Sequence, residues 1–271
     1  MLPLKIPTSR VVKSTVRSAF QGRIIPVSLA ALTVVFSYYV TYLLAGALTV
    51  PFSTYGEIIS VVSLLLMFCF ILGPVTLGAV RYFWRLTDGA DEGPVAVFYY
   101  FSSLYRYKRA IKVLLIPLFR CAGVFIICLL PYGVISVLSN AWIYQFLGTE
   151  IPIWVAGLAL VEAFLQVAGT FVALIVVAKY YLVPVIAVMD ENLLVLEAVH
   201  MSVMVSRRSL GAAAGLFCSL IGWVLLSTFV IPLIYTAPLF LGCYVVHGRY
   251  ALVNYNLSLD YYNKQRYNEA V

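Results

Sequence analysis

Six apolar runs, at about 24–49, 57–80, 110–138, 153–182, 209–229 and 231–249, take up most of the chain. Each meets or approaches the ~20 residues a helix needs to cross a ~30 Å hydrocarbon core. A backbone deprived of water must pair its own N–H and C=O groups within the segment, and helices do so. The expected fold class is therefore an all-α membrane protein with six transmembrane helices. At 271 residues, 63% hydrophobic and 11% charged, with mean hydropathy +0.99, the chain lies far from soluble usage. A separate soluble catalytic domain has no room, so residues 1–271 are read as a single polytopic membrane domain ending in a short cytoplasmic tail, 256–271.

Charge sets the topology. Of the 18 lysines and arginines, all but Arg120 fall within 1–23, 81–112, 179–208 and 249–266. The intervening turns at 49–57, 139–153 and 228–232 carry only Glu57 and Glu150. This is the positive-inside pattern, and it predicts a multi-pass protein with both termini in the cytoplasm. The net charge of +7 then faces anionic headgroups of the inner leaflet, which are the expected partner; nucleic acid is not. The apolar run from Ile24 to Val50 far exceeds the roughly 7–15 residue core of a signal peptide, so it reads as a retained span despite the Ala45-Gly46-Ala47 sequence.

Three further segments are amphipathic but too short to span, as helices lying in the interface plane are. In the first, Arg10, Lys13 and Arg17 oppose Val12, Val16, Ala19 and Phe20. The second opens on Pro94 and sets Val97, Phe98, Phe101, Leu104 and Tyr105 at helical spacing. The third starts near Asn192 and sets Leu196, Val199 and Val203 against Glu197, His200 and Arg207. Each stands before an odd-numbered span, which gives a three-fold internal repeat of amphipathic helix and transmembrane hairpin, with units about 8–85, 94–188 and 192–255. Pro74, Pro184 and Pro238 lie inside the inward runs. Each frees a backbone carbonyl that a neighbour must satisfy. Expected inner-leaflet headgroup contacts are Arg10, Lys13, Arg17, Arg106, Lys108, Arg109, Arg207 and Arg208. Tyr99-Tyr100, Tyr180-Tyr181 and Tyr261-Tyr262 are expected as inner anchors, with Trp142 and Trp154 as outer ones.

Arg120 and Glu162 are the ionisable residues expected deep in the bilayer. Arg120 lies ~16 Å beyond Arg109, and Glu162 ~14 Å beyond Ile153, at 1.5 Å per residue. Both depths approach the midplane, so a direct ion pair is expected. Glu162 shares a helix face with the polar stripe Gln166 and Thr170, and with Gly169. Such a pair fits either a substrate, ion or proton site or a buried lock on helix register. The acids Asp88, Asp91, Glu92, Asp190 and Glu191 read as helix N-terminal groups in preference to cation ligands. Cys69, Cys121, Cys128, Cys218 and Cys243 read as small apolar filler. Gly211 and Gly215, four apart, permit close helix approach, within the chain or between copies. Neither His200 nor His247 has metal-ligand or catalytic spacing. No catalytic residues, metal or cofactor are expected.

The run Leu196-Glu197-Ala198-Val199, Ser202 and Met204, followed by Leu216-Phe217, Ser219-Leu220-Ile221-Gly222-Trp223 and Leu225-Leu226, resembles the bacterial membrane family catalogued as domain of unknown function 975. Gly73-Pro74, Leu77-Gly78 and Arg81-Tyr82 resemble an earlier segment of that family. The chain departs from it at Arg207-Arg208-Ser209, at Pro238-Leu239 and around His247-Gly248. The resemblance implies a multispan protein of the bacterial cytoplasmic membrane and carries no assigned activity. The leading reading is a non-enzymatic accessory or lipid-interacting component, with a membrane protein partner left open. The alternative is a small transporter or channel lined by Arg120 and Glu162.

Overall fold

The computed structural model describes residues 7–49, 56–90, 92–145, 153–226 and 230–270. Among them helices dominate and no strand occurs: α1 (Ser9–Phe20), α2 (Ile24–Thr49), α3 (Gly56–Met67), α4 (Gly73–Thr87), α5 (Leu104–Gln145), α6 (Ile153–Val177), α7 (Val183–Met189), α8 (Val195–Cys218), α9 (Ile221–Leu226) and α10 (Val230–Ala270). A π-helical turn, Phe68–Leu72, joins α3 to α4, and 3-10 helices occupy Pro94–Phe101 and Ala178–Tyr180. Among the described residues, four segments are long and apolar enough to cross a membrane: Ile24–Ala47, Val62–Thr87, Leu104–Asn140 and Gly157–Met189. By length and composition this is an α-helical membrane protein. The expected residues Asp91 and Glu150, and the side chains of Glu57, Trp142, Trp154, Tyr261 and Tyr262, lie outside those described.

The chain forms two compact units, Met1–Leu115 with Leu182–Val271, and Ile116–Tyr181. In the first, α4 is the centre, buried along nearly its whole length from Gly73 to Leu86. Its small residues make that possible. A Cβ added at Gly78 would overlap the Val97 carbonyl, so the 3-10 helix Pro94–Phe101 lies directly on α4. Phe83 meets Phe20 of α1 at 5.9 Å between ring centroids. Gly242 of α10 receives Val16 and Phe20 of α1, and Gly248 receives Leu182 and Val185 at the start of α7. Glycine serves here as a missing side chain that lets a neighbouring helix approach.

The prolines are absorbed in different ways. In α-helical register Pro74 would be the donor to the Phe70 carbonyl, but it has no N–H. The π-turn Phe68–Leu72 precedes it, and the Tyr107 hydroxyl of α5 donates to that carbonyl at 2.9 Å. Pro184 was expected within a continuous inward helix. Instead α6 ends at Val177, a 3-10 turn follows, and Pro184 falls in the first turn of α7, where a missing donor is harmless. Pro238 stays inside a continuous helix, α10, as Pro117 and Pro131 do inside α5.

Each amphipathic segment differs from its expected form. The first is a separate helix, as expected, but its apolar stripe Val12, Val16 and Phe20 is buried against protein. The second is a 3-10 helix, in which residues three apart share a face. Val97 and Tyr100 therefore point inward, while Phe98, Phe101, Leu104 and Tyr105 are exposed. The third is not separate from the span expected at 209: α8 runs unbroken through Arg207, Arg208 and Ser209, residues that do not oppose a helix as Gly or Pro would. Its inward face is Ala198, Val199, Ser202, Val205, Ser206 and Ser209, and Leu196 is exposed.

The second unit holds the remainder of α5 and α6. Gly169 lies on the Cys128 carbonyl, and Ser139 meets Glu162, an antiparallel register.

Candidate functional site

The densest concentration of charge is built around Arg81, in the apolar core of α4. Its side chain is only 9% exposed. Helical spacing fixes this: Leu77, Gly78 and Val80 before it and Tyr82 and Phe83 after it are all buried, so the guanidinium emerges among them and must find acceptors. The Arg81 Nη1 group is bonded to Glu92 Oε2, and Nη2 donates to Oε1 of the same carboxylate at 3.3 Å. Its Nε lies 3.6 Å from Glu191 Oε1. The face of the guanidinium lies over the Tyr99 ring, 3.6 Å from its centroid, and the Tyr99 hydroxyl donates to Glu191 at 3.1 Å. Arg106 stacks on the same ring at 4.3 Å, and Arg85 reaches Glu92 at 3.7 Å.

Arg109 completes the cluster. It donates to the carbonyls of Glu191, Asp190 (2.8 Å) and Ala187 (3.3 Å). These carbonyls lie at and just beyond the end of α7, where a cation is favoured by the helix dipole. Beside it, the buried Tyr100 hydroxyl has no hydrogen-bond partner. Burial, and then the nearby charge of Glu191, push its phenol well above the usual tyrosine range. A second clamp sits close by: Arg249 of α10 pairs with Asp88 at the end of α4 and lies over the Trp84 ring.

The acids thus do different work from the expected one. Glu92 and Glu191 bind Arg81, Asp88 binds Arg249, and Asp190 accepts from the Asn192 amide at 2.8 Å. Among the described residues, Glu197 is the acid that caps a helix, accepting from the Leu194 amide at 3.3 Å. The cluster joins α4, the 3-10 helix, the start of α5 and the α7–α8 turn with every carboxylate engaged. Chemically it is a clamp. Among the described residues no three of His, Cys, Asp and Glu come together as metal ligands.

The eight expected headgroup contacts divide. Arg109 turns inward, Arg106 is stacked and donates to Ser102 Oγ at 2.9 Å, and Lys13 donates to the Ser219 carbonyl at 3.0 Å. Arg10, Arg17, Lys108, Arg207 and Arg208 are exposed. Arg10, Lys13 and Arg17 line an open groove of about 480 Å³ with Ser9, Ser14, Ser18 and Gln21.

The direct Arg120–Glu162 pair is not formed. Glu162 accepts from Ser139 Oγ at 3.1 Å, and Ser139 lies 19 residues, or ~28 Å of helix, beyond Arg120. The antiparallel register instead puts Arg120 level with the end of α6, near Lys179. Depths measured from opposite ends coincide only for helices as long as the ~30 Å core, and α5, at 42 residues, is about twice that length at 1.5 Å per residue. Arg120 and Gln166 are exposed and Thr170 is half-buried.

No protein-family model, curated protein or solved structure matches the chain.

Arg81 itself was readable as a lone cation at the end of an apolar run with Tyr82 and Phe83 beside it. Its partners were not: Glu92, 11 residues on, is brought back by the turn and 3-10 helix after α4, and Glu191 lies beyond a whole helical hairpin.

Proposed function

We propose that this is a non-enzymatic accessory protein of the bacterial cytoplasmic membrane that holds anionic lipid at its inner face. The observation that carries the reading is the basic face of α1. Arg10 and Arg17 are exposed, in no ion pair among the described residues, and set among serine hydroxyls along one groove. The most buried arginine among the described residues, Arg81, is by contrast consumed by acids. Cations left free beside a membrane attract anionic headgroups at about 1 kcal/mol each.

The proposal includes both termini in the cytoplasm, supported by the distribution of Lys and Arg, and six spans, the fifth and sixth formed by α8–α9 and α10. It also includes the three-fold repeat, supported in two of its units by a departure from α-helix just before the proline, a π-turn before Gly73-Pro74 and a 3-10 turn before Val183-Pro184. Kinship with the family that the C-terminal third resembles belongs to the same reading. The transporter alternative loses its motive, since Arg120 and Glu162 do not meet.

The test is native mass spectrometry of the whole protein released from nanodiscs containing equal phosphatidylglycerol and phosphatidylethanolamine. Selective retention of phosphatidylglycerol, lost in the Arg10→Ala/Arg17→Ala double variant, is expected. Equal retention of the two lipids by the unaltered protein defeats the proposal.

A further inference from the structure

We infer that the ridge Val95, Phe98, Phe101, Leu104 and Tyr105, and not α1, is the element that enters the acyl boundary of the bilayer. The inference rests on the lipid-interacting reading above and assigns it a different surface.

Three amphipathic segments could have supplied an apolar face to lipid. The structure removes the first, because Val12, Val16 and Phe20 of α1 are covered by α10 and by Phe83. It weakens the third, where Ala198, Val199 and Val205 face the core and the exposed large apolar side chains, Leu194, Leu196 and Met204, form no continuous row. The second differs because it is a 3-10 helix. With three residues per turn, Val97 and Tyr100 share the buried face while Val95, Phe98 and Phe101 recur on a second face, about 120° round the helix. Leu104, three residues further, continues the row into α5. Their exposures are 77%, 46%, 43% and 67%, and Tyr105 beside them is 75% exposed. Phe98 and Phe101 touch, with ring centroids 6.2 Å apart.

Isolated exposed apolar side chains are ordinary, but a continuous apolar row is not. Its position says what covers it. The segment follows Thr87, the end of one candidate span, by seven residues, and Leu104 opens the next. Both ends are therefore tethered to the membrane. Lys108 is exposed and Arg106 is half-buried next to the row, so an aromatic row and cations stand together as they do at a headgroup boundary. α1 then remains a purely electrostatic contact, with its basic groove outward and its apolar side spent on the protein.

The test places a photoactivatable benzoylphenylalanine at Phe98, at Leu104 and, for comparison, at the exposed Val11 of α1, in the full chain in nanodiscs. Two lipid compositions are used: phosphatidylcholine alone, and phosphatidylcholine with phosphatidylglycerol. Lipid adducts at positions 98 and 104 several-fold above those at 11, in both compositions, are the expected result. Adducts at 98 and 104 no more frequent than at 11, or formed with a second protein, overturn the inference. Should phosphatidylglycerol retention fail while these adducts persist, the headgroup proposal falls and this one stands. Hydroxyl-radical footprinting of the unaltered chain guards against misfolded variants: Phe98, Phe101 and Tyr105 should resist oxidation, and ready oxidation of all three in nanodiscs sinks the idea.

Discussion

Removing the Arg81 guanidinium would leave Glu92 and Glu191, whose side chains are 31% and 40% exposed, without their shared cation. Losing one partner of a fully buried ion pair costs about 3–5 kcal/mol; with both carboxylates partly open to solvent, Arg81→Ala is expected to cost less, about 1–3 kcal/mol, by thermal unfolding in detergent. Arg81→Lys should recover only part, because an ammonium keeps the charge but loses the forked contact and the stacking on Tyr99. Tyr100 makes the opposite case. Its buried hydroxyl has no partner, so Tyr100→Phe should be neutral or stabilising; a loss above about 1 kcal/mol would reveal a partner not accounted for. The same hydroxyl sets an alkaline limb. Its folded pKa is raised, whereas an unfolded tyrosine ionises near ~10. Stability from this group is thus complete below that pH and is lost as pH rises past it, because the unfolded chain releases its proton first. Melting curves at pH 9 and pH 11 should therefore lie closer together for Tyr100→Phe than for the unaltered protein.

At the scale of elements, the contacts that matter are those where backbone meets backbone. Gly78→Val would drive a side chain into the Val97 carbonyl, and overpacking of this kind costs about 1–3 kcal/mol or more. Protease nicking between Thr87 and Leu104 should become faster as the 3-10 helix lifts from α4; unchanged nicking would mean that this contact is slack. Tyr107→Phe removes the donor to the Phe70 carbonyl beside Pro74. Hydrogen bonds between membrane helices average about 0.6 kcal/mol and reach about 1.7 kcal/mol, so a small loss measured by unfolding is expected. Within the second unit, the exchange Arg120→Glu with Glu162→Arg should not rescue either single change, since the two residues are not partners. Recovery in the double variant would restore the pair that the observed register separates.

For the molecule as a whole, the centre of stability lies around α4, which α1, the 3-10 helix, α7 and α10 enclose. Much of α5 and α6, by contrast, presents Phe119, Ile126, Ile127, Leu160, Phe164 and Val167 outward, as segments bathed in lipid do. Exposed apolar surface of that kind is expected to need a bilayer or detergent. Removal of detergent without lipid should aggregate the full chain, and a monodisperse protein in plain buffer would contradict the membrane assignment.

Helicity, four of the spans and the limits of α2 were legible in sequence, because they follow from local length, apolar content and the need to pair every backbone group. The stripe Val12, Val16 and Phe20 was legible too, since period alone puts those residues on one face. What period cannot say is which surface covers that face, and here it is α10 and α4 in place of lipid. Nor could it foresee that Pro94–Phe101 winds at three residues per turn, which turns Phe98 and Phe101 outward. Arg81 meets Glu92 and Glu191, and Glu162 meets Ser139 instead of Arg120. Those pairings depend on helix register and on the order in which distant segments pack, and such quantities exist only once the chain has folded.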